Sequence, residues 1–90
     1  MQIKFTLITP TGQQLALRLN GRVSWALNEL IKANMKGCTP INQPAPRWSA
    51  YVHVLRHRYG LDIATIHERH NGPFPGTHAR YVLKSNVTFA

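Results

Sequence analysis

Residues 47–60 constrain the fold most, because they carry the complete pattern of one amphipathic helix. Their apolar side chains recur every three or four positions: Trp48, Val52, Leu55 and Tyr59. The opposite side carries polar and basic side chains: Ser49, His53, Arg56 and His57. Pro46 suits a first helical turn, and Gly60 is a typical stop. The segment therefore predicts a helix over 47–59 with one face against a core and one basic face outward.

The charge balance points to a polyanionic partner. The chain has 90 residues, which predict a single domain (1–90) with one modest core. It has 11 Lys and Arg residues against three acids, Glu29, Asp62 and Glu68, so its net charge is +8. Nucleic acid is the first expectation. A membrane surface is disfavoured, because no segment is both basic and strongly apolar on its other face; a merely solvated basic surface is the alternative.

Cysteine usage and the N-terminal sequence indicate the compartment. Cys38 is the single cysteine, which excludes an intrachain disulfide and a zinc site built on Cys pairs. The first residues lack the apolar core of a signal peptide, and no apolar run approaches the length of a membrane span. We therefore expect a cytoplasmic protein.

The first third of the chain predicts a hairpin and a helix. Residues 2–9 and 13–19 alternate as strands around a Pro/Gly turn, forming an N-terminal β-hairpin (2–19) with a leucine-rich face that needs cover. Residues 22–36 follow as a helix. Trp25 lies on the face opposite its main apolar stripe, so we expect the hairpin to cover Trp25; an exposed Trp25 available to a partner is the alternative.

A proline-rich interval separates the two predicted helices. Pro40, Pro44 and Pro46 forbid a regular helix across 38–46. At most one helical turn fits near residues 42–43, and residues 39–41 suit a very short strand. Beyond the second helix, strands are expected from about 61 to 70 and from 79 to 84, around a turn-rich loop at 71–78, with a short final strand over 85–90.

The element order and several phrases resemble a known family. The phrases are Trp25-Ala26-Leu27, Thr39-Pro40-Ile41, Arg47-Trp48-Ser49-Ala50-Tyr51-Val52-His53-Val54-Leu55-Arg56, Gly60-Leu61-Asp62-Ile63 and Ala79-Arg80-Tyr81-Val82-Leu83. Over residues 22–84 the chain resembles the small winged helix-turn-helix proteins of bacteriophages and prophages. The resemblance implies an α+β winged-helix core with a wing at about 69–80 and DNA binding. Two departures are an added N-terminal β-hairpin and a shortened second helix of the helix-turn-helix, where residues 42–46 replace the usual helix.

The candidate nucleic-acid contacts come from the second helix, the segment before it and the wing. They are Gln43, Arg47, Ser49, His53, Arg56, His57, Arg69, His70, His78 and Arg80. Residues near the start of a recognition helix usually reach base edges, so the first four are the predicted base contacts, whereas Arg56 and His57 are predicted to touch the backbone. A solvated helix face is the alternative reading.

Aromatic and histidine residues offer further possibilities of contact. Phe74 at the wing tip and Trp25 are the candidate contacts with a protein partner. His53 and His57 have the i, i+4 spacing of two metal ligands, but no carboxylate accompanies them, so we expect no metal site and no cofactor. No nucleophile, base and acid arrangement is visible, and we expect no enzyme activity.

Taken together, the sequence predicts a double-stranded DNA-binding protein that acts by occupancy, as a phage-type transcription regulator or an architectural factor. A homodimer formed through a sheet edge of the hairpin would suit a repressor. The main alternative is a winged-helix protein-docking module, such as a phage-encoded inhibitor of a host nucleic-acid enzyme or defence complex. Binding of RNA or single strands is a weaker third reading, because the aromatic residues do not share one strand face.

Overall fold

The computed structural model describes residues 2–45, 47–71 and 76–89. The elements are, in chain order, β1 (Gln2–Ile8), β2 (Gln14–Asn20), α1 (Gly21–Ala33), a one-turn 3-10 helix (Asn34–Lys36), α2 (Trp48–His57), β3 (Ile63–His70), β4 (Gly76–Leu83) and β5 (Asn86–Phe89). All strand pairs are antiparallel, in one sheet of order β2-β1-β5 and one of order β3-β4. This mixture of helices and antiparallel strands confirms the α+β class.

A tight turn joins β1 to β2. The amide of Thr9 donates to the carbonyl of Gln13 at 2.9 Å, and the amide of Gly12 donates to the carbonyl of Thr9 at 2.9 Å. Gly12 has a φ of +89°, a conformation that glycine adopts without steric penalty. The Thr9 hydroxyl also accepts the Gln13 amide at 3.0 Å. The turn fixes the register in which Phe5 faces Leu17.

The apolar face of the three-stranded sheet is covered unevenly. Phe5 and Leu19 are fully buried beneath α1, whereas Leu15 is 45% exposed. Phe89 of β5 faces Phe5 with 5.4 Å between the ring centroids, yet Phe89 is itself 51% exposed. The expectation that the whole leucine-rich face is covered is therefore wrong for its outer end, which extends beyond the helix.

The first helix ends earlier than the pattern predicts. α1 stops at Ala33 and continues as a single 3-10 turn, because Asn34 takes a φ of +53°. Gly37 follows with a φ of +73°, and a Cβ at this position would lie 2.5 Å from the Tyr81 carbonyl oxygen. Only glycine fits this approach, which brings the chain alongside β4.

The short extended segment pairs at Cys38 rather than at residues 39–41. Cys38 and Tyr81 exchange two backbone hydrogen bonds, at 2.8 and 2.9 Å, in an isolated antiparallel bridge. The prediction is wrong because Thr39 is used as the start of the next turn. Burial raises the pKa of the Cys38 thiol to about 11, so the thiol stays protonated at neutral pH.

Packing of α2 against α1 and β4 forms the centre of the core. Trp48, Val52 and Leu55 are buried on the predicted stripe, and each such side chain contributes about 1.5–3 kcal/mol relative to exposure. The Trp48 ring stacks on Tyr81, with 6.0 Å between centroids. This packing turns the opposite face of α2 toward solvent.

The strands of the second sheet differ from prediction at one end. β4 begins at Gly76, so residues 76–78 belong to a strand rather than to the loop predicted over 71–78.

The final strand, β5, belongs to the first sheet and pairs with β1. None of the helices in the described part of the chain is long and apolar enough to cross a bilayer.

Candidate nucleic-acid interface

A single hydrogen-bonded turn lies where a helix-turn-helix usually has a full helix. The Thr39 hydroxyl accepts the Asn42 amide at 3.0 Å, and the Thr39 carbonyl accepts the Gln43 amide at 2.9 Å. In return the Gln43 side-chain oxygen accepts the Thr39 amide at 3.0 Å. These reciprocal contacts have the logic of a capping box. They stabilise one turn. Pro40 suits its first position, and Pro44, which follows it, has no amide with which to extend the turn.

The indole of Trp48 connects this turn to α2. Its Nε1–H donates to the Gln43 carbonyl oxygen at 2.6 Å. Trp48 is almost fully buried, so its single polar atom needs this partner. The bond holds the carbonyl end of the turn against the first turn of α2. Gln43 is therefore a structural residue at both its side chain and its backbone.

The outward face of α2 carries three of the four residues that the amphipathic pattern placed there. Ser49, His53 and His57 are exposed, and Arg47 is exposed immediately before the helix. The His53 and His57 rings lie side by side, with 4.3 Å between centroids. No carboxylate occurs in the sequence of α2, so this face is a donor-rich surface without acidic residues.

Arg56 does not project outward with them. Its Nε donates to the Ile63 carbonyl oxygen at 3.1 Å, and its Nη2 donates to the same oxygen and to the Thr65 hydroxyl. The prediction that Arg56 projects from the exposed side is wrong, because the residue lies on the helix flank that faces the start of β3. Its charged hydrogen bonds join α2 to the wing.

The stem of the wing contains an ion pair that the sequence did not reveal. Arg80 donates to the Glu68 carboxylate from Nε at 2.6 Å and from Nη2 at 3.1 Å, and from Nη1 to the Lys36 carbonyl at 2.8 Å. The hydrogen bond from Arg80, followed by the smaller effect of His78, lowers the pKa of Glu68; the same bond raises the pKa of Arg80. The guanidinium is thus committed within the protein.

Two histidines extend this pair along the same face of the β3–β4 hairpin. His78 Nε2 lies 3.1 Å from the Glu68 carboxylate, and the Nδ1 atoms of His78 and His70 lie 2.9 Å apart. The register explains the cluster, because Glu68 is directly opposite His78 and Arg80 is opposite Ile66, two residues away on the same face. Arg69 lies on the other face of β3 and is exposed.

The candidate partner contacts have different outcomes. Trp25 is half-buried, with its ring 5.4 Å from the Trp48 ring and the Arg22 guanidinium 4.7 Å from its centroid. The aromatic neighbour of Trp25 is therefore a residue of α2, where we had expected cover from the hairpin. Phe74 lies outside the described residues.

Among the predicted contacts, Arg47, Ser49, His53 and His57 share one exposed surface at α2. The wing residues lie on two faces of the hairpin: His70, His78 and Arg80 on one, and Arg69 on the other. Sequence reasoning missed the role of Glu68. Its opposite-charge pairing with Arg80 could be found only from the strand register. Within residues 2–45, 47–71 and 76–89, no group of three or more His, Cys, Asp or Glu side chains is arranged to hold a metal ion.

Two helices joined through a tight turn and followed by an antiparallel hairpin define a small helix-turn-helix class with a wing. Residues 16–90 match the family model of the winged helix domain, and the chain belongs to that family. No curated protein and no solved structure matches the chain. Winged-helix domains are typically DNA-binding modules rather than enzymes, and the matched region contains both helices and the β3–β4 hairpin.

Proposed function

We propose that this protein binds double-stranded DNA through the outward face of α2 and acts by occupancy, as a transcription regulator or an architectural factor. The observation that carries the proposal is the composition of that face. Ser49, His53 and His57 are exposed together, Arg47 precedes them, and the whole chain has a net charge of +8. A surface of donors without a carboxylate suits phosphates and the acceptor-rich major groove.

The orientation of α2 also suits insertion into a groove. Its buried stripe is fixed by Trp48 and Leu55, so the helix presents one constant face. In helix-turn-helix proteins the N-terminal residues of the recognition helix contact base edges. Arg47, Ser49 and His53 are accordingly the proposed base contacts, and His57 is the proposed backbone contact one turn later.

The wing has a smaller direct role in this proposal than the sequence suggested. Arg80 and His78 both contact the Glu68 carboxylate, whose negative charge offsets that of Arg80. We assign these residues, together with His70, to positioning the wing stem. Arg69, exposed on the other face, is the proposed phosphate contact of the wing.

The matched region supports a proposal for the domain organisation. We propose one domain, in which a winged-helix core of about residues 22–84 carries an N-terminal hairpin as an addition. The family match begins at residue 16, within β2, so β1 lies outside it. β1 nevertheless contributes Phe5 to the common core and pairs with β5.

The second candidate function, a protein-docking module, is favoured by the outer end of the three-stranded sheet. Leu15 of β2 is 45% exposed there, and its neighbours Leu7 and Leu17 are incompletely covered. Such a strip, beside the unpaired edge of β2, suits either a second copy of the chain or another protein. A phage-encoded inhibitor of a host nucleic-acid enzyme or defence complex is one version of this function.

Fluorescence anisotropy with a random-sequence duplex and a matched single strand, over a series of salt concentrations, tests the main proposal. We expect micromolar or tighter binding to the duplex at about 100 mM salt, with a log–log slope of roughly −4 to −5 for about four to six phosphate contacts. Absence of duplex binding at that salt concentration would refute DNA binding. Equal affinity for the single strand would refute the preference for duplex DNA.

A further inference from the structure

A basic cleft lies where the end of β2 meets α1 and α2. Its volume is about 340 Å³. Its lining residues are Arg18, Asn20, Val23, Val54, Arg58 and Tyr59. Two guanidinium groups, an amide and a phenol thus surround an apolar floor of two valines. Arg18 and Arg58 are distant in sequence and were not predicted to share a surface.

The cleft borders the proposed DNA-binding face of α2. Arg58 directly follows the last residue of α2, while Arg56, which faces β3, lies about 200° away around the helix axis. The outward face of the helix therefore has the wing on one flank and the cleft on the other. A duplex held by His53 and His57 would bring its backbone past both flanks.

The charges in the cleft are not neutralised within the protein. No carboxylate lines it, and in the described ranges neither Arg18 nor Arg58 forms an ion pair or a side-chain hydrogen bond. Lys4 lies directly opposite Arg18 in the β1–β2 register. Like charges in this position destabilise a sheet, and a bound anion would relieve their repulsion.

Neutral donors accompany the two arginines. Asn20 is the N-cap residue of α1, yet its side chain makes no capping hydrogen bond. The first turn of α1 contains no acidic residue, so its free amides also favour an anion nearby. The Asn20 amide and the Tyr59 hydroxyl can therefore donate to an anion that the arginines attract.

We propose that this cleft binds one backbone phosphate of the duplex, held jointly by Arg18 and Arg58. The inference rests on the proposed DNA-binding function and adds a contact from the N-terminal hairpin to it. Guanidinium groups suit phosphate because their planar N–H donors match pairs of phosphate oxygens. The position beside α2 selects a phosphate of the bound duplex over a free anion as the ligand.

The test compares the salt dependence of duplex binding for the wild type, Arg18→Ala, Arg58→Ala and the double variant. We expect the double variant to lose about one unit of log–log slope, the value of one phosphate contact, and the two single losses not to add. Lys32→Ala is the matched control, because it removes the same charge but Lys32 already pairs with Glu29 at 3.2 Å. This control should retain the wild-type slope.

Two outcomes would overturn the shared phosphate site: slopes unchanged from the control, or losses that add to about two units, as for two separate contacts. Failure of the wild type to bind duplex DNA would instead refute the proposed function and this site as a DNA contact. A second experiment then tests the cleft without DNA: the protein is titrated with inorganic phosphate while the arginine Nε–H signals are followed by nuclear magnetic resonance. An anion cleft requires that the signals of Arg18 and Arg58 shift together.

Discussion

The indole Nε1–H of Trp48 donates to the backbone carbonyl oxygen of Gln43 at 2.6 Å. This bond links the first turn of α2 to the single turn that replaces a helix. It also satisfies the only polar side-chain atom of a tryptophan that is 2% exposed. This side-chain to backbone contact therefore helps, together with the buried stripe of α2, to place the outward face of the helix.

Replacement of Trp48 by Phe should destabilise the protein by about 1–3 kcal/mol beyond the loss of ring area, because the Gln43 carbonyl loses its partner in a partly buried site. Trp25→Phe is the control, since the same atoms are removed from a ring that has no hydrogen bond in the described residues. Urea unfolding at pH 7 measures both variants. Equal losses for the two substitutions would contradict a specific role of the bond.

Gly37→Ala should be among the more damaging single substitutions. The residue has a φ of +73°, and the new Cβ would lie 2.5 Å from the Tyr81 carbonyl oxygen, so we expect a loss of about 2 kcal/mol or more. Gly60→Ala is the matched control. Gly60 has a φ of +68° with nothing within 4 Å of an added Cβ, so only the conformational penalty of about 1 kcal/mol applies. Thermal and urea unfolding of the pair would reveal the difference; similar losses would show that the contact with Tyr81 can relax.

Glu68→Gln should reduce the loss of folding stability that occurs as the pH falls. The folded-state pKa of Glu68 is lowered, so its contribution is fully present above the ordinary pKa of a glutamate and is lost as the pH falls through the lowered value. The free energy of unfolding of the wild type should therefore decrease from pH 7 toward pH 3 more than that of the variant. Glu29→Gln, which removes an equal charge from the pair with Lys32, is the comparison. A variant with the wild-type pH profile would show that the Arg80 contact does not contribute.

His53→Glu should reduce duplex affinity by about tenfold or more at 100 mM salt, because it places a carboxylate on the face proposed to enter the groove. Gln14→Glu changes the net charge by the same amount on an exposed residue of β2, and it should have a smaller effect. Anisotropy titrations with one duplex and one buffer compare them. If both variants lose affinity equally, general charge rather than the face of α2 controls binding.

The docking alternative predicts a different sensitivity. Leu15→Ser, at the half-exposed outer end of the sheet, should leave duplex affinity unchanged under the main proposal. It should abolish partner capture or self-association if that strip is the functional surface. Sedimentation equilibrium of the wild type and the variant measures self-association, and loss of duplex affinity in a folded Leu15→Ser protein would contradict the main proposal.

The features that the sequence predicted well are those with a local pattern. The stripe of Trp48, Val52 and Leu55 repeats with the helical period, and the strand on either side of Gly12 alternates with a period of two, so both could be identified without knowledge of the fold. The start of the short strand was displaced by one residue, because the competing use of Thr39 as a cap depends on hydrogen bonds that the pattern does not contain.

The side-chain partners could not be predicted, because each pair joins two separate elements and depends on how those elements pack. In the sequence Arg56 and Arg80 both look like free basic residues. Arg56 meets the Ile63 carbonyl only when α2 packs beside the start of β3, and Arg80 meets Glu68 only when β3 and β4 are set in register. The incomplete cover of Leu15 has a similar origin. It depends on where α1 crosses the sheet, a property that the alternation of one strand does not record.

Arg56 joins α2 to the Ile63 carbonyl, and Arg80 joins β4 to the carbonyl of Lys36. These bonds set the position of the wing stem relative to α2 and to the 3-10 turn before any ligand binds. Under the proposed function, the conformational adjustment on binding would fall to the nucleic acid. Sites whose groove width already suits this fixed position, or whose base steps bend easily, would then be preferred even at positions that no side chain touches.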